Sequence, residues 1–121
     1  MTEGTIGEFK ERRDRLNERV MEYAGTEMKR FFSLDSQVYR EGALAGKIKE
    51  LMGLVASLVL RCDDCITYHV IQCHETGVKD EELEEALTIG LVVGGSIVIP
   101  HLRRAVEVWG DVRKNGPSSG K

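Results

Sequence analysis

Apolar residues recur through much of this chain at intervals of three, four and seven positions, which is the spacing of one face of an α-helix. Clear alternating runs of Val, Ile, Thr and aromatic residues, which would indicate strands, are missing from the sequence. Proline occurs only at positions 100 and 117, so little interrupts a helical pattern. The sequence therefore predicts an all-α fold, a bundle of about five or six helices.

The first predicted helix is amphipathic and ends near Gly25. Its apolar positions share one face and are Ile6, Phe9, Leu16, Val20 and Tyr23. On the opposite, solvated side we expect two i,i+4 ion pairs, Glu8 with Arg12 and Glu11 with Arg15.

The next segments lead into the centre of the bundle. Residues 28–34 predict a short helix or turn, and Asp35 with Ser36 predicts the start of the following element. Residues 44–60 become almost wholly apolar after Glu50, which is typical of a core helix. A further helix is predicted from the cysteine pair near residue 62 to His74, with Gly77 closing it.

Two more helices complete the prediction. An acidic first turn at residues 80–82 begins a helix in which Gly90 and Gly94 would permit close contact with a neighbour. Pro100 breaks or kinks the pattern, and a final short amphipathic helix follows it. We predict one domain over residues 1–114 and a disordered Gly, Ser and Pro-rich tail over residues 115–121.

Composition narrows the class of protein. The chain has 121 residues, of which 17 are Lys or Arg and 20 are Asp or Glu, for a formal charge of -3, so we expect no nucleic-acid partner. The longest apolar runs fall short of the roughly 20 residues that span a bilayer, and the amino terminus lacks the apolar block of a signal peptide. We therefore expect a cytoplasmic protein without a membrane partner.

Three residues carry the clearest chemical pattern. Cys62, Cys65 and His69 lie at i, i+3 and i+7, an arrangement that places all three side chains along one helix face. A histidine one turn from Cys65 can take its proton and stabilise the thiolate. Cys62 can then condense with an oxidised Cys65 to form a disulfide. The spacing favours redox chemistry that needs no bound cofactor.

Other interpretations of the cysteines stay open at this point. Zinc accepts thiolate and imidazole ligands, but only Cys73 or Glu50 could complete a closed site of four. Free cysteines are also common simply as buried residues, which is the interpretation we prefer for Cys73. Thioredoxin-like chemistry on its usual scaffold would need a βαβ pattern that the sequence does not have.

The spacing from Glu50 through Cys62 and Cys65 to His69 resembles a known family. It matches the Glu-x11-Cys-x2-Cys-x3-His signature of the AhpD-like alkylhydroperoxidases, in the carboxymuconolactone decarboxylase superfamily. The resemblance covers roughly residues 38–109 and includes the approach over residues 41–51 and the passage over residues 77–82. It implies an all-helical fold assembled into trimers or hexamers.

The resemblance also implies roles for these residues. Cys65 would be the attacking thiol and Cys62 the resolving thiol, with His69 and Glu50 as the proton relay. The best-studied branch has a histidine just before the second cysteine, where this chain has Asp64. The negative charge of Asp64 is expected to oppose thiolate formation at Cys65, whereas the amino terminus of the helix is expected to favour it. His101 is a further candidate for lining the site.

The function predicted is that of a thiol-dependent peroxidase or disulfide oxidoreductase. Its substrate would be a hydroperoxide or a disulfide, and the resemblance implies a lipoyl or thioredoxin-like protein as electron donor. Two alternatives stay open: the superfamily's lactone decarboxylase chemistry, whose branch typically lacks the cysteine pair, and a non-catalytic helical assembly or metal-binding protein. We expect a homo-oligomer, because several short helices leave apolar surface that subunits would bury.

Overall fold

Six α-helices and one short 3-10 helix follow each other in the computed structural model, which describes residues 3–114, with side chains from Ile6 onward. In chain order they are α1 (Glu3–Tyr23), α2 (Thr26–Gln37), α3 (Gly46–Leu60), α4 (Asp63–Glu75), α5 (Asp80–Gly94), the 3-10 helix (Ser96–Val98) and α6 (Ile99–Lys114). No strand occurs within these residues, which confirms the all-α prediction. The predicted tail, residues 115–121, lies outside the described part of the chain.

A tight connection between α3 and α4 sets the position of the cysteine pair. Arg61 ends α3 in the left-handed region, at φ 62° and ψ 40°, and its N–H bonds back to the carbonyl of Leu58. Cys62 then caps α4 in an extended conformation, and Asp63 and Asp64 occupy the first turn, where carboxylates complement the helix dipole. α3 and α4 are therefore joined by only two residues, Arg61 and Cys62.

The core lies among the last four helices. α3 packs against α4 and α5, and α4 packs against α6, while α1 lies across α6. The largest fully buried side chains come from α3, α4 and the 3-10 helix: Leu54, Leu58, Ile66, Val70, Cys73 and Val98. By contrast, α2 has no buried side chain at all.

The glycines of α5 pack closely, as the sequence predicted. A Cβ on Gly90 would lie 2.7 Å from Cδ2 of Leu58, and one on Gly94 would lie 2.7 Å from Cγ1 of Val98. Gly90 thus permits the approach of α3, and Gly94 permits that of the 3-10 helix.

Two local predictions need correction and one is confirmed. Asp35 and Ser36 do not start an element, because α2 continues through them to Gln37. The predicted Glu8–Arg12 ion pair is not formed among the described residues, whereas Arg15 and Glu11 do pair, at 3.3 Å. Pro100 lies in the first turn of α6, where its missing N–H costs no intrahelical bond.

Within residues 3–114, no helix is both long and apolar enough to cross a membrane.

Candidate active site

The cysteine pair is joined in a disulfide at the start of α4. Cys62 and Cys65 have Cα atoms 5.3 Å apart, and the N–H of Cys65 donates a hydrogen bond to Sγ of Cys62 at 3.2 Å. Cys62 is half-buried, whereas Cys65 is exposed. A reagent from solution therefore reaches Cys65 first, and the backbone of the helix start favours negative charge on Cys62.

Glu50 and His69 form a buried pair behind the disulfide. Nδ1 of His69 lies 2.8 Å from Oε1 of Glu50, and the two residues are 8% and 4% exposed. Because a carboxylate only accepts, Nδ1–H is the donor, and Nε2 of a neutral ring is left to take a proton. This is the arrangement expected of a base that is held by a carboxylate.

Gly53 makes room for the imidazole. It lies one turn after Glu50 on α3, and a Cβ there would come within 2.7 Å of Cε1 and 2.9 Å of Nε2 of His69. The spacing of the cysteines and His69 gave no indication of Gly53. The signal that could have found it is a glycine three residues after the relay carboxylate in an otherwise apolar core helix.

A cleft of about 370 Å³ opens onto Cys65 and His69. From α4 and the α2 region it is lined by Asp35, Tyr39, Asp64, Cys65, Tyr68 and His69. From α1 it is lined by Phe9, Arg12, Arg13, Leu16 and Asn17. Cys62 and Glu50 do not line it, so the cleft presents the outer sulfur and the imidazole together.

Two tyrosines flank the imidazole within the cleft. The ring centroids of Tyr39 and Tyr68 lie 5.4 Å and 5.2 Å from that of His69. Burial raises the pKa of both phenols, and the negative charges of Glu50 and Asp35 raise it further. Both are therefore neutral hydrogen-bond donors near pH 7.

Arg13 covers one of these tyrosines. Its guanidinium carbon lies 4.1 Å from the ring centroid of Tyr68, and its charge and hydrogen bond partly oppose the rise in the pKa of that phenol. Tyr68 packs against His69 and also lines the cleft.

The two acidic residues between the cysteines are placed differently. Asp64 lines the cleft next to Cys65. Asp63 points to α6, where its Oδ1 lies 2.8 Å from Nδ1 of His101. Arg104 of α6 adds a hydrogen bond to Thr67 at 3.1 Å. His101 thus supports the first turn of α4 and is not among the residues that line the cleft.

Cys73 belongs to the core and not to the site. Its side chain is fully buried, and burial, with a contribution from the charge of Glu50, raises the pKa of its thiol to about 12. Among the described residues no three His, Cys, Asp or Glu side chains are grouped so that they could hold a metal ion. Cys73 is thus separate from the Cys62–Cys65 disulfide.

Comparison with known proteins shows that the chain is similar to carboxymuconolactone decarboxylase family proteins. The model of the carboxymuconolactone decarboxylase family matches residues 26–108. "Uncharacterized protein 4 in cox locus" of Paracoccus denitrificans is 26% identical over 82 residues, which is 68% of this chain and 74% of that protein.

Solved structures share the fold. One crystal structure of the Thermotoga maritima protein TM1620 is 61% identical, with a TM-score of 0.87, and covers 90% of this chain and 98% of its own. Another is 62% identical, with a TM-score of 0.83 and coverages of 88% and 91%, and is described as a carboxymuconolactone decarboxylase family protein with a suggested involvement in antioxidative response. The carboxymuconolactone decarboxylase family protein lpg0406 of Legionella pneumophila, 23% identical with a TM-score of 0.80 and coverages of 88% and 95%, has the same fold.

Proposed function

Because this chain belongs to the carboxymuconolactone decarboxylase family, we propose that it is a thiol-dependent peroxidase and disulfide oxidoreductase whose redox pair is Cys62 and Cys65. The observation that carries the proposal is the disulfide at the mouth of a cleft that also contains His69, itself held by Glu50. The suggested involvement of the Thermotoga maritima relative in antioxidative response supports it.

In the oxidative half-reaction, His69 takes the proton of the Cys65 thiol, and Glu50 stabilises the imidazolium that results. The thiolate attacks the terminal oxygen of a hydroperoxide, so that an S–O bond forms and the O–O bond breaks. The departing alkoxide receives the proton from His69 and leaves as an alcohol. Two electrons pass from the sulfur of Cys65 to the peroxide, leaving a sulfenic acid.

Cys62 resolves this intermediate. Its thiol sulfur attacks the sulfur of the Cys65 sulfenic acid, and the hydroxyl group leaves as water with the thiol proton. The Cα separation of 5.3 Å lies within the range that a disulfide spans.

An external dithiol of the lipoyl or thioredoxin-like class restores the reduced state. Its thiolate attacks Cys65, the exposed sulfur, and Cys62 leaves as a thiolate. The N–H of Cys65 and the start of α4 stabilise that leaving group, which accelerates thiol exchange. The donor's second thiol then releases the reduced protein and leaves as a disulfide. Because such donors are kept reduced in the cytoplasm, we place the protein there.

The protein works as a homo-oligomer in this proposal. α2 has no buried side chain, yet it carries Met28, Phe31 and Leu34, which are 44%, 64% and 56% exposed. A stripe of this kind is rarely left in water by a monomer. The trimer or hexamer implied by the family would cover it.

Mass spectrometry of the reduced protein tests the redox proposal. After brief exposure to one equivalent of an organic hydroperoxide, we expect the loss of two hydrogens, mapped to a Cys62–Cys65 disulfide by alkylation and peptide analysis. The Cys65→Ser variant should not react, whereas Cys73→Ser, which removes a buried thiol outside the cleft, should react like the parent protein. Unchanged thiols in the parent protein, or equal oxidation of Cys73, would contradict the proposal, and turnover of a lactone substrate would replace it with the decarboxylase alternative.

A further inference from the structure

One wall of the cleft comes from outside the part of the chain that the family model matches. That match spans residues 26–108, whereas α1 covers Glu3–Tyr23. Five side chains of α1 line the cleft that opens onto Cys65. The proposed proton relay, Glu50 and His69, therefore lies within the matched region. Much of the surface that a substrate would touch comes from α1, which lies outside it.

This wall carries the guanidinium groups of Arg12 and Arg13. Neither Arg12 nor Arg13 forms an ion pair within the part of the chain that the structure describes. Arg12 does not pair with Glu8, the residue four positions before it, whereas Arg15 does pair with Glu11 in the equivalent i,i+4 arrangement. Arg13 lies over Tyr68 and keeps donors on its edge.

The charges of the cleft are separated between its walls. The carboxylate of Asp64 lies beside Cys65 on α4, and that of Asp35 comes from α2. The cations both come from α1, together with the apolar side chains of Phe9 and Leu16. An anionic group is therefore repelled from the side of the thiol and attracted to the wall formed by α1.

We propose, on the basis of the peroxidase function above, that the cleft selects an organic hydroperoxide that has an apolar body and a carboxylate. The carboxylate binds Arg12 and Arg13, the apolar body lies along Phe9 and Leu16, and the hydroperoxide group points to Cys65. The reaction leaves the carboxylate unchanged: the O–O bond breaks, the sulfur of Cys65 is oxidised by two electrons, and the product is a hydroxy acid. The charge pattern orients the substrate as well as binding it.

The test compares a carboxylate-bearing aliphatic hydroperoxide with its methyl ester, which removes the charge and leaves the hydroperoxide group intact. The rate of Cys62–Cys65 disulfide formation in the reduced protein is measured for both compounds at neutral pH and low salt. We expect the acid to react about tenfold faster than the ester, the factor of one charge-assisted hydrogen bond, and this ratio to fall with added salt.

Two variants connect the ratio to α1. Arg12→Gln should lower the acid rate several-fold more than the ester rate, because only Arg13 is then left to bind the carboxylate. Arg15→Gln is the matched control, because Arg15 is on the same helix but pairs with Glu11 outside the cleft. It should leave the ratio unchanged, and circular dichroism should show the same helix content for both variants.

The outcomes separate this inference from the function on which it rests. If the parent protein oxidises its cysteines with both compounds at equal rates, or faster with the ester, the selectivity is wrong and the peroxidase function stands. The selectivity is also wrong if Arg12→Gln lowers both rates equally, since the arginine would then act on the thiol. If neither compound forms the disulfide, the peroxidase function itself fails.

Discussion

Among single residues, Gly53 decides the position of the proposed proton relay, because it has no side chain. Glu50 and His69 are buried together on facing helices, and the imidazole occupies the space where Gly53 has no Cβ. The contact is with the ring atoms Cε1, Nε2 and Nδ1, so it bears on both nitrogens, the one held by Glu50 and the one that would take the proton of Cys65. Gly53 is thus a positioning residue for the base proposed above.

Substitution of this glycine should slow the reaction of Cys65 with a hydroperoxide. In Gly53→Ala the new methyl group would displace the ring of His69, and a displacement of about 1 Å costs roughly 100-fold in rate. We expect disulfide formation by a hydroperoxide to slow by a factor between about 10 and 100. The control is Gly110→Ala on α6, where a Cβ meets nothing within 4 Å, and its rate should be unchanged. Equal rates in the two variants would show that the ring position does not matter.

The buried thiol of Cys73 makes stability depend on pH in a defined direction. Its pKa is raised from 9.0 to about 12 in the folded protein. Below about pH 9 the thiol is protonated in both states, so its contribution to stability is fully present. Between the two pKa values only the unfolded chain loses the proton, and the free energy of unfolding falls as pH rises, by up to about 1.4 kcal/mol per unit.

Urea denaturation of the oxidised protein measures this contribution. From about pH 8.5 to about pH 10, the free energy of unfolding of the parent protein should fall by about 1 kcal/mol more than that of Cys73→Ala. The comparison cancels every other titrating group. A difference between the two proteins that stays constant with pH would mean that the thiol of Cys73 ionises as easily in the folded state as in the unfolded one.

The sequence could supply only part of this site. The pairing of Cys65 with His69 follows from helical spacing, because both lie on α4. The role of Glu50 came only from the resemblance to a family, since a glutamate on another helix has no spacing relation to α4. Tyr39 and Arg13 could not be found, because they reach the cleft through the packing of α1 and of the segment after α2, which local sequence does not encode.

Among the secondary-structure elements, the helical periodicity of the sequence identified most of the helices. The positions of the glycines identified the contact of α5 with α3. The spacing of Gly90 and Gly94 on an apolar stripe predicted a close approach, and Gly90 does face Leu58 of α3. The prediction from capping preference was wrong at Asp35 and Ser36, which are good helix-start residues but lie within α2. A capping preference is weak compared with the continuation of a helix that is already formed.

The contact of α5 with α3 should be sensitive to one methyl group. In Gly90→Ala the Cβ would lie 2.7 Å from Cδ2 of Leu58, which is fully buried and cannot move into solvent. Overpacking of this kind costs about 1–3 kcal/mol. The urea midpoint should therefore fall, whereas that of Gly110→Ala should rise, because alanine is favoured over glycine in an open helix position by about 1 kcal/mol. A midpoint that rises in both variants would show that the helices separate without cost.

For the molecule as a whole, the packing of a single chain does not explain what stabilises α2. An amphipathic helix is normally held by the burial of its apolar face, yet no side chain of α2 is buried. Met28, Phe31, Leu34 and Val38 follow each other at intervals of three, three and four residues, so they form one exposed stripe. A second chain that covers this stripe would supply the missing burial.

We therefore expect the protein to sediment at three or six times the 13.5 kDa mass of one chain. Phe31→Glu should shift it towards the monomer, because a charge would be buried in the contact. Ser36→Glu adds the same charge to the same helix, on the side away from the stripe, and should leave the mass unchanged. If α2 depends on the contact, dissociation of Phe31→Glu should also lower the helix content and make the melting temperature independent of protein concentration, unlike that of the parent protein. A parent protein that sediments as a monomer at micromolar concentration would mean that α2 holds its conformation without this contact.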